Sequence, residues 1–253
     1  GFMKKKNAFT LAEVLITLGI IGIVAAMTLP TLVQKQQEKV TVSRLKKAYS
    51  ALSQAYLMIS KDYGEPTNWG ISASVTDDDG NKNAEGALNV ANLFAKYMNV
   101  TKNCGVSDGC WHTGKTYYLK GTPFLDTNNR ADLAKLKLAD GTHVAFGGLN
   151  AECSNKRGET KALSSVCGWI IVDVNGNDRP NTYGIDVFEF SITKYNIMPY
   201  GVQEDTLFPF KDYCRDKSTA SGNGCTAWVI YNENMDYRRC SDLSWDGKKK
   251  CSK

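Results

Sequence analysis

The chain reads as α+β: a long N-terminal transmembrane or stalk α-helix packed on an antiparallel β-sheet head with disulfide-stapled loops. Three observations predict it. An almost unbroken apolar run follows Lys4, Lys5 and Lys6 and ends near Val33. A stripe at helical spacing continues directly from it. All eight cysteines lie after residue 100, among segments that alternate as strands do.

The apolar run is about 25 residues long, enough as a helix to cross roughly 30 Å of hydrocarbon. The helix is expected to continue to about Ser60, with a change of character on the way. Val42, Leu45, Tyr49, Leu52, Tyr56 and Ile59 recur at 3-4-3 spacing and define one face, which leaves Lys46, Lys47, Ser50 and Lys61 toward solvent. Gly64, Pro66 and Gly70 stop it. A polar linker over 76–83 follows, whose Asp77-Asp78-Asp79 run reads as an exposed loop. A second short helix over 85–98 would place Leu88, Ala91, Phe94 and Ala95 or Met98 on one face. Beyond Cys110 the pattern changes to strands at 115–119, 134–138, 143–146, 169–174, 186–192 and 226–231. Asp140-Gly141 supplies a hairpin signal between the second and third of these.

Glu13 is the only ionisable group between Phe9 and Val33. A carboxylate near mid-bilayer costs roughly 2.5–3.5 kcal/mol, so it requires a partner. A cut between Ala8 and Phe9 would create an α-amino group four residues from Glu13. A neighbouring subunit shifted along a helical array could then set its Phe9 ammonium against this carboxylate, removing two isolated charges together.

This segment resembles the class III signal of type IV prepilins and type II secretion pseudopilins. The resemblance rests on the basic leader, the small residue before Phe9, Glu13, the Leu/Ile/Val run with Gly19 and Gly22, and Pro30 as the twenty-second mature residue. Ala8 stands where the family usually has glycine. The resemblance implies that a membrane prepilin peptidase cuts after Ala8 on the cytoplasmic side and methylates Phe9. It also makes Glu13 the assembly residue and Pro30 part of a stretch that can bend or melt in a filament. The domains so implied are a leader at 1–8, a transmembrane or filament-core half-helix at 9–33, an amphipathic half-helix at 34–62 and an extracytoplasmic head at 63–253. Partners would be other pilins or pseudopilins in a homo- or hetero-oligomeric filament, the peptidase and the inner-membrane assembly machinery. The subunit would lie in the inner membrane before assembly and in a cell-surface filament after it.

Two plainer readings compete for the same segment. An ordinary secretory signal could be cut after Val24-Ala25-Ala26, although the apolar region exceeds the usual 7–15 residues. A simple single-span anchor is the other. Lysines and arginines flank the span on both sides, so they do not set its orientation.

The net charge of +5 falls to +2 without the three leader lysines, which argues against broad phosphate neutralisation and so against nucleic-acid binding. An even number of cysteines confined to the part beyond the span reads as a disulfide framework in an oxidising compartment. Eight cysteines admit about a hundred pairings. The spacing suggests consecutive staples, Cys104–Cys110, Cys153–Cys167, Cys214–Cys225 and Cys240–Cys251. Zinc is disfavoured because no Cys-x-x-Cys occurs and His112 and His143 are the only histidines.

Asp173, Asn175 and Asn177 alternate as oxygen donors do in calcium loops, with Asp186 able to close a Ca²⁺ site. The glycine and acidic positions depart from an EF-hand. The competing reading is that these side chains build the turn by bonding to the backbone. No cofactor is otherwise required. No nucleophile motif or phosphate loop accompanies the histidines, so the chain reads as a structural filament subunit and not an enzyme. Its rivals are a minor pilin or anchored protein whose head binds DNA, glycan or a protein, and a secreted disulfide-rich domain.

Overall fold

The computed structural model of the chain describes residues 10–78, 80, 82–214 and 219–252. It divides into two compact units, Gly1–Val40 and Thr41–Lys253. The first helix, α1, runs over Leu11–Tyr63 and contributes residues to both. In the first unit its apolar side chains, Leu15, Ile16, Ile20, Ile21 and Ile23 among them, are exposed, and the helix is unbroken through Pro30.

The second unit is built on a six-stranded, wholly antiparallel meander. Its strands are β3 (Val100–Gly105), β4 (Ala134–Leu138), β5 (His143–Gly147), β6 (Val166–Asp173), β7 (Val187–Thr193) and β8 (Ile197–Pro199), paired in chain order. A separate two-stranded pair, β1 (Val75–Thr76) and β2 (Lys82–Asn83), lies within the expected polar linker. The expected stripe on α1 forms the floor of the core. Leu45, Leu52 and Ile59 are fully buried with Leu136, Val144, Phe146, Ile170, Val172, Phe188, Phe190 and Ile192 from one sheet face. Each such aliphatic or aromatic side chain contributes about 1.5–3 kcal/mol through burial. Tyr49 stacks on Phe190 with ring centroids 5.5 Å apart, and the Tyr56 hydroxyl donates to the Thr193 carbonyl at 3.1 Å. The short helix α2 (Glu85–Tyr97) adds Val90, Ala91 and Phe94 to the same core. All four cysteine pairs are those the spacing suggests.

Several expectations are corrected. Residues 115–119 are not a strand: Tyr117 makes only isolated bridges to Pro123 and Thr182, because Thr116 and Tyr118 close a tight turn onto Leu125 and Thr122. Residues 226–231 are not a strand either. They form α4 (Thr226–Asn232), whose Trp228 stacks on Phe210 at 4.2 Å and packs against Trp245. A short apolar run surrounded by core has no period that separates strand from helix. Here the adjacent sheet edge, β8, is three residues long and ends in Pro199, which offers no amide proton for further pairing. The missed strand β3 is the opposite edge. It is largely exposed, carries Lys102 and shows two register shifts, the features that keep an edge from pairing with another chain.

The second sheet face is also covered, which the alternation alone does not show. Lys135, between Ala134 and Leu136 in β4, has no exposed surface. Its Nζ donates to the carbonyls of Arg130 at 2.8 Å, Asn128 at 2.9 Å, Val106 at 3.2 Å and Thr127 at 3.5 Å. One ammonium thus organises the long excursion between β3 and β4, much as a bound cation would. Burial pulls it down to about 8, so it stays cationic at neutral pH. Lys135→Met should cost about 3 kcal/mol in chemical denaturation, since several buried carbonyls lose their donor. A loss below about 1 kcal/mol would remove this role.

Candidate functional site

The N-terminal segment carries the clearest functional chemistry. Thr10 precedes α1, and its backbone N–H and Oγ1 both donate to Glu13 Oε2 at 2.9 Å. In return, Glu13 N–H donates to Thr10 Oγ1 at 3.2 Å. This is a reciprocal capping box, which satisfies otherwise orphaned amides at the helix start. Both contacts fall on Oε2, and among the described residues nothing bonds Oε1. The remaining hydroxyls of the segment turn inward on their own helix: Thr17 donates to the Glu13 carbonyl at 2.9 Å and Thr28 to that of Val24 at 2.9 Å. Glu13 is therefore left as the one polar group with a free face among exposed Leu, Ile and Val. Gly19 and Gly22 have open space where a Cβ would stand. The expected processing residues Ala8 and Phe9 lie outside the described residues.

The capping role of Glu13 went unseen in the sequence, although Thr10-x-x-Glu13 ahead of an apolar run is a legible signal for it. The helix containing it is long and apolar enough to cross a membrane.

Residues 3–29 match the prokaryotic N-terminal methylation motif, and residues 31–234 match a family of unknown function, DUF6613. The chain belongs to DUF6613. Its first segment is that of a type IV pilin-like prepilin. Glu13 lies inside the matched motif and Pro30 just beyond it. No curated protein and no solved structure matches the chain.

Within the DUF6613 region the loop between β6 and β7 holds the residues proposed for calcium. Asp173 Oδ1 accepts from the amides of Asn175 at 3.2 Å and Gly176 at 3.0 Å. Asp186 accepts from the amides of Asn181 and Thr182 at 2.8 and 2.6 Å, and from Asn175 Nδ2 at 3.1 Å. Those carboxylates build the turn. Asn177 is exposed, and among the described residues no hydrogen bond joins it to them. Asp173 Oδ2 and Asn175 Oδ1 are buried without partners. Among the described residues no group of three His, Cys, Asp or Glu side chains is disposed to hold a metal.

Burial and the neighbouring Asp186 charge push the Asp173 carboxyl well above the usual range, and burial pushes Asp186 up as well. His143 pairs with Asp173 across the β5–β6 ladder and packs on Trp111, with ring centroids 5.9 Å apart. Neither ring nitrogen has a partner, and burial pulls the imidazole down to about 4. His112 is likewise buried and lowered, and every described cysteine is bonded.

The unfolded chain takes up a proton on His143 near 6.5 while the folded chain resists it to about 4. Its contribution to stability is thus present above 6.5 and lost as pH falls through that window. His143→Phe should therefore melt progressively higher than the natural chain as pH drops from 6.5 to 4, measured as the difference in Tm. A difference that stays flat would place the proton elsewhere.

Proposed function

We propose that the chain is a structural subunit of a type IV pilus-like or type II secretion filament, matured by a prepilin peptidase and assembled through its N-terminal helix. One observation carries the reading: inside a methylation motif, a lone carboxylate caps its helix with one oxygen and leaves the other free. Cleavage after Ala8 would expose the Phe9 amine, which methylation keeps cationic. Within a bundle of apolar helices, the free Oε1 of Glu13 is the only anionic acceptor such an amine could find. Pairing removes two charges from a low-dielectric surrounding, a large gain when the alternative is one bare charge in each subunit.

The mechanism is assembly and not turnover. The apolar helix holds the precursor in the inner membrane with the disulfide-bearing unit on the oxidising side. The assembly machinery then withdraws the processed subunit from lipid into a filament, where neighbouring apolar helices replace acyl chains. The exposed Leu, Ile and Val side chains of α1 suit either surrounding, because both are apolar.

Glutamine can replace glutamate in a capping box but carries no charge. Glu13→Gln should therefore keep the helix start, remain in the membrane with its disulfides formed, and disappear from sheared filament fractions. Thr10→Ala should do the reverse, losing about 1 kcal/mol of helix capping while still entering filaments. Incorporation of Glu13→Gln at the natural level would refute the charge pairing.

A further inference from the structure

The sheet face turned away from α1 carries a cavity of about 460 Å³, within the range of small-molecule sites. Its floor is Trp169 and Ile171 of β6 and Glu189 of β7, with Ile171 and Glu189 paired across the ladder. Tyr118 and Phe124 form one wall and Phe208 another. Trp169 is held by the absence of side chains beneath it: a Cβ on Gly148, which also has φ +56°, would stand 1.9 Å from the indole Nε1, and one on Gly147 would stand 2.8 Å from Cη2.

The polar groups in this cavity are incompletely used. Arg157 is 3% exposed, lies over the Tyr200 ring and pairs with Asp205 and Ser191, yet its Nε has no partner. Asn223 is 5% exposed and its Oδ1 has none. Glu189 is 7% exposed, and its carboxyl faces the Tyr183 hydroxyl and the Arg157 charge. Buried polar atoms are seldom left this way unless something outside the chain completes them. What is on offer is a mixed set of donors and acceptors beside aromatic faces, and of the two cations at the cavity Arg157 is neutralised by Asp205 and Lys156 pairs with Glu159. An anion would find no spare charge. A ligand with several hydroxyls and apolar C–H faces would fill both needs, donating to Glu189 and Asn223, accepting from Arg157 Nε and stacking on Tyr118 or Trp169.

We propose that this cavity binds a neutral sugar, as a monosaccharide or the end of a glycan. The proposal does not depend on filament assembly. Burial pushes the Glu189 carboxyl up to about 7, so this acceptor is near its own titration midpoint at neutral pH.

The test is titration of the full chain, in a detergent without a sugar headgroup, with glucose, galactose, mannose, N-acetylglucosamine and their disaccharides, followed by calorimetry and tryptophan fluorescence. At least one sugar should saturate below about 10 mM, a few kcal/mol of binding, and quench the indole signal. Trp169→Ala should weaken it about tenfold. Glu189→Gln, nearly isosteric, should weaken it several-fold and remove its pH dependence around 7. Choline and inorganic phosphate serve as probes for a cationic and an anionic ligand. Saturation by either in place of a sugar, silence of the whole sugar panel, or sugar binding unchanged in both variants would overturn the proposal.

Discussion

The second unit depends on one contact: the stripe Val42, Leu45, Leu52, Tyr56 and Ile59 of α1 lying under Phe188, Phe190 and Ile192 of β7 and Ile170 and Val172 of β6. A six-stranded meander with one bare apolar face would not be stable alone in water, and the helix supplies the missing layer. Tyr49 and Tyr56 add direction to that burial by donating to the carbonyls of Ile197 and Thr193. The same helix is apolar all round in its first part, where Leu15, Ile16, Ile20, Ile21 and Ile23 are exposed. One continuous element is thereby suited to two surroundings, and the difference is written in which side chains occupy its outer face.

Covering the opposite sheet face takes a different solution. Among the described residues long loops with short 3-10 turns at 127–129 and 223–225 lie there, and loops bring unpaired carbonyls that need donors. Lys135 serves four of them, and Arg157 bridges Ser191 and Asp205 while its guanidinium sits 3.2 Å from the Tyr200 ring centroid. The disulfides close the remaining excursions, each within a short stretch of chain, and Cys153, Cys167, Cys214 and Cys225 tie theirs to the core itself. A face assembled from loops and charged side chains packs less completely than one made by a helix, and the cavity over Trp169 and Glu189 is found on it.

Much of this is legible in the amino-acid sequence alone. The 3-4-3 stripe located the core face of α1, the alternation in 186–192 separated Phe188, Phe190 and Ile192 from Glu189 and Ser191, and local spacing gave all four disulfides. What failed did so for identifiable reasons. In Ala134-Lys135-Leu136-Lys137-Leu138, alternation implies lysines in water, and nothing nearby in sequence announces that residues 106–130 will bury one of them. The run at 226–231 is too short for its period to distinguish helix from strand, and its fate was settled by Phe210, Trp245 and a sheet edge ending in Pro199. The capping box at Thr10 and Glu13 was readable and was obscured by the stronger pull of a buried charge. Those two roles for Glu13 are compatible, since its two oxygens are used separately.

The chemistry assigned to the N-terminal segment presumes a new amine directly behind Ala8. The most direct measurement is the mass of the N-terminal peptide of the protein recovered from its native envelope or filaments. The expected result is a chain beginning at N-methylated Phe9. A chain beginning at Met27, or one retaining the lysines ahead of Ala8, would contradict it, because Glu13 would then have no cationic terminus with which to pair.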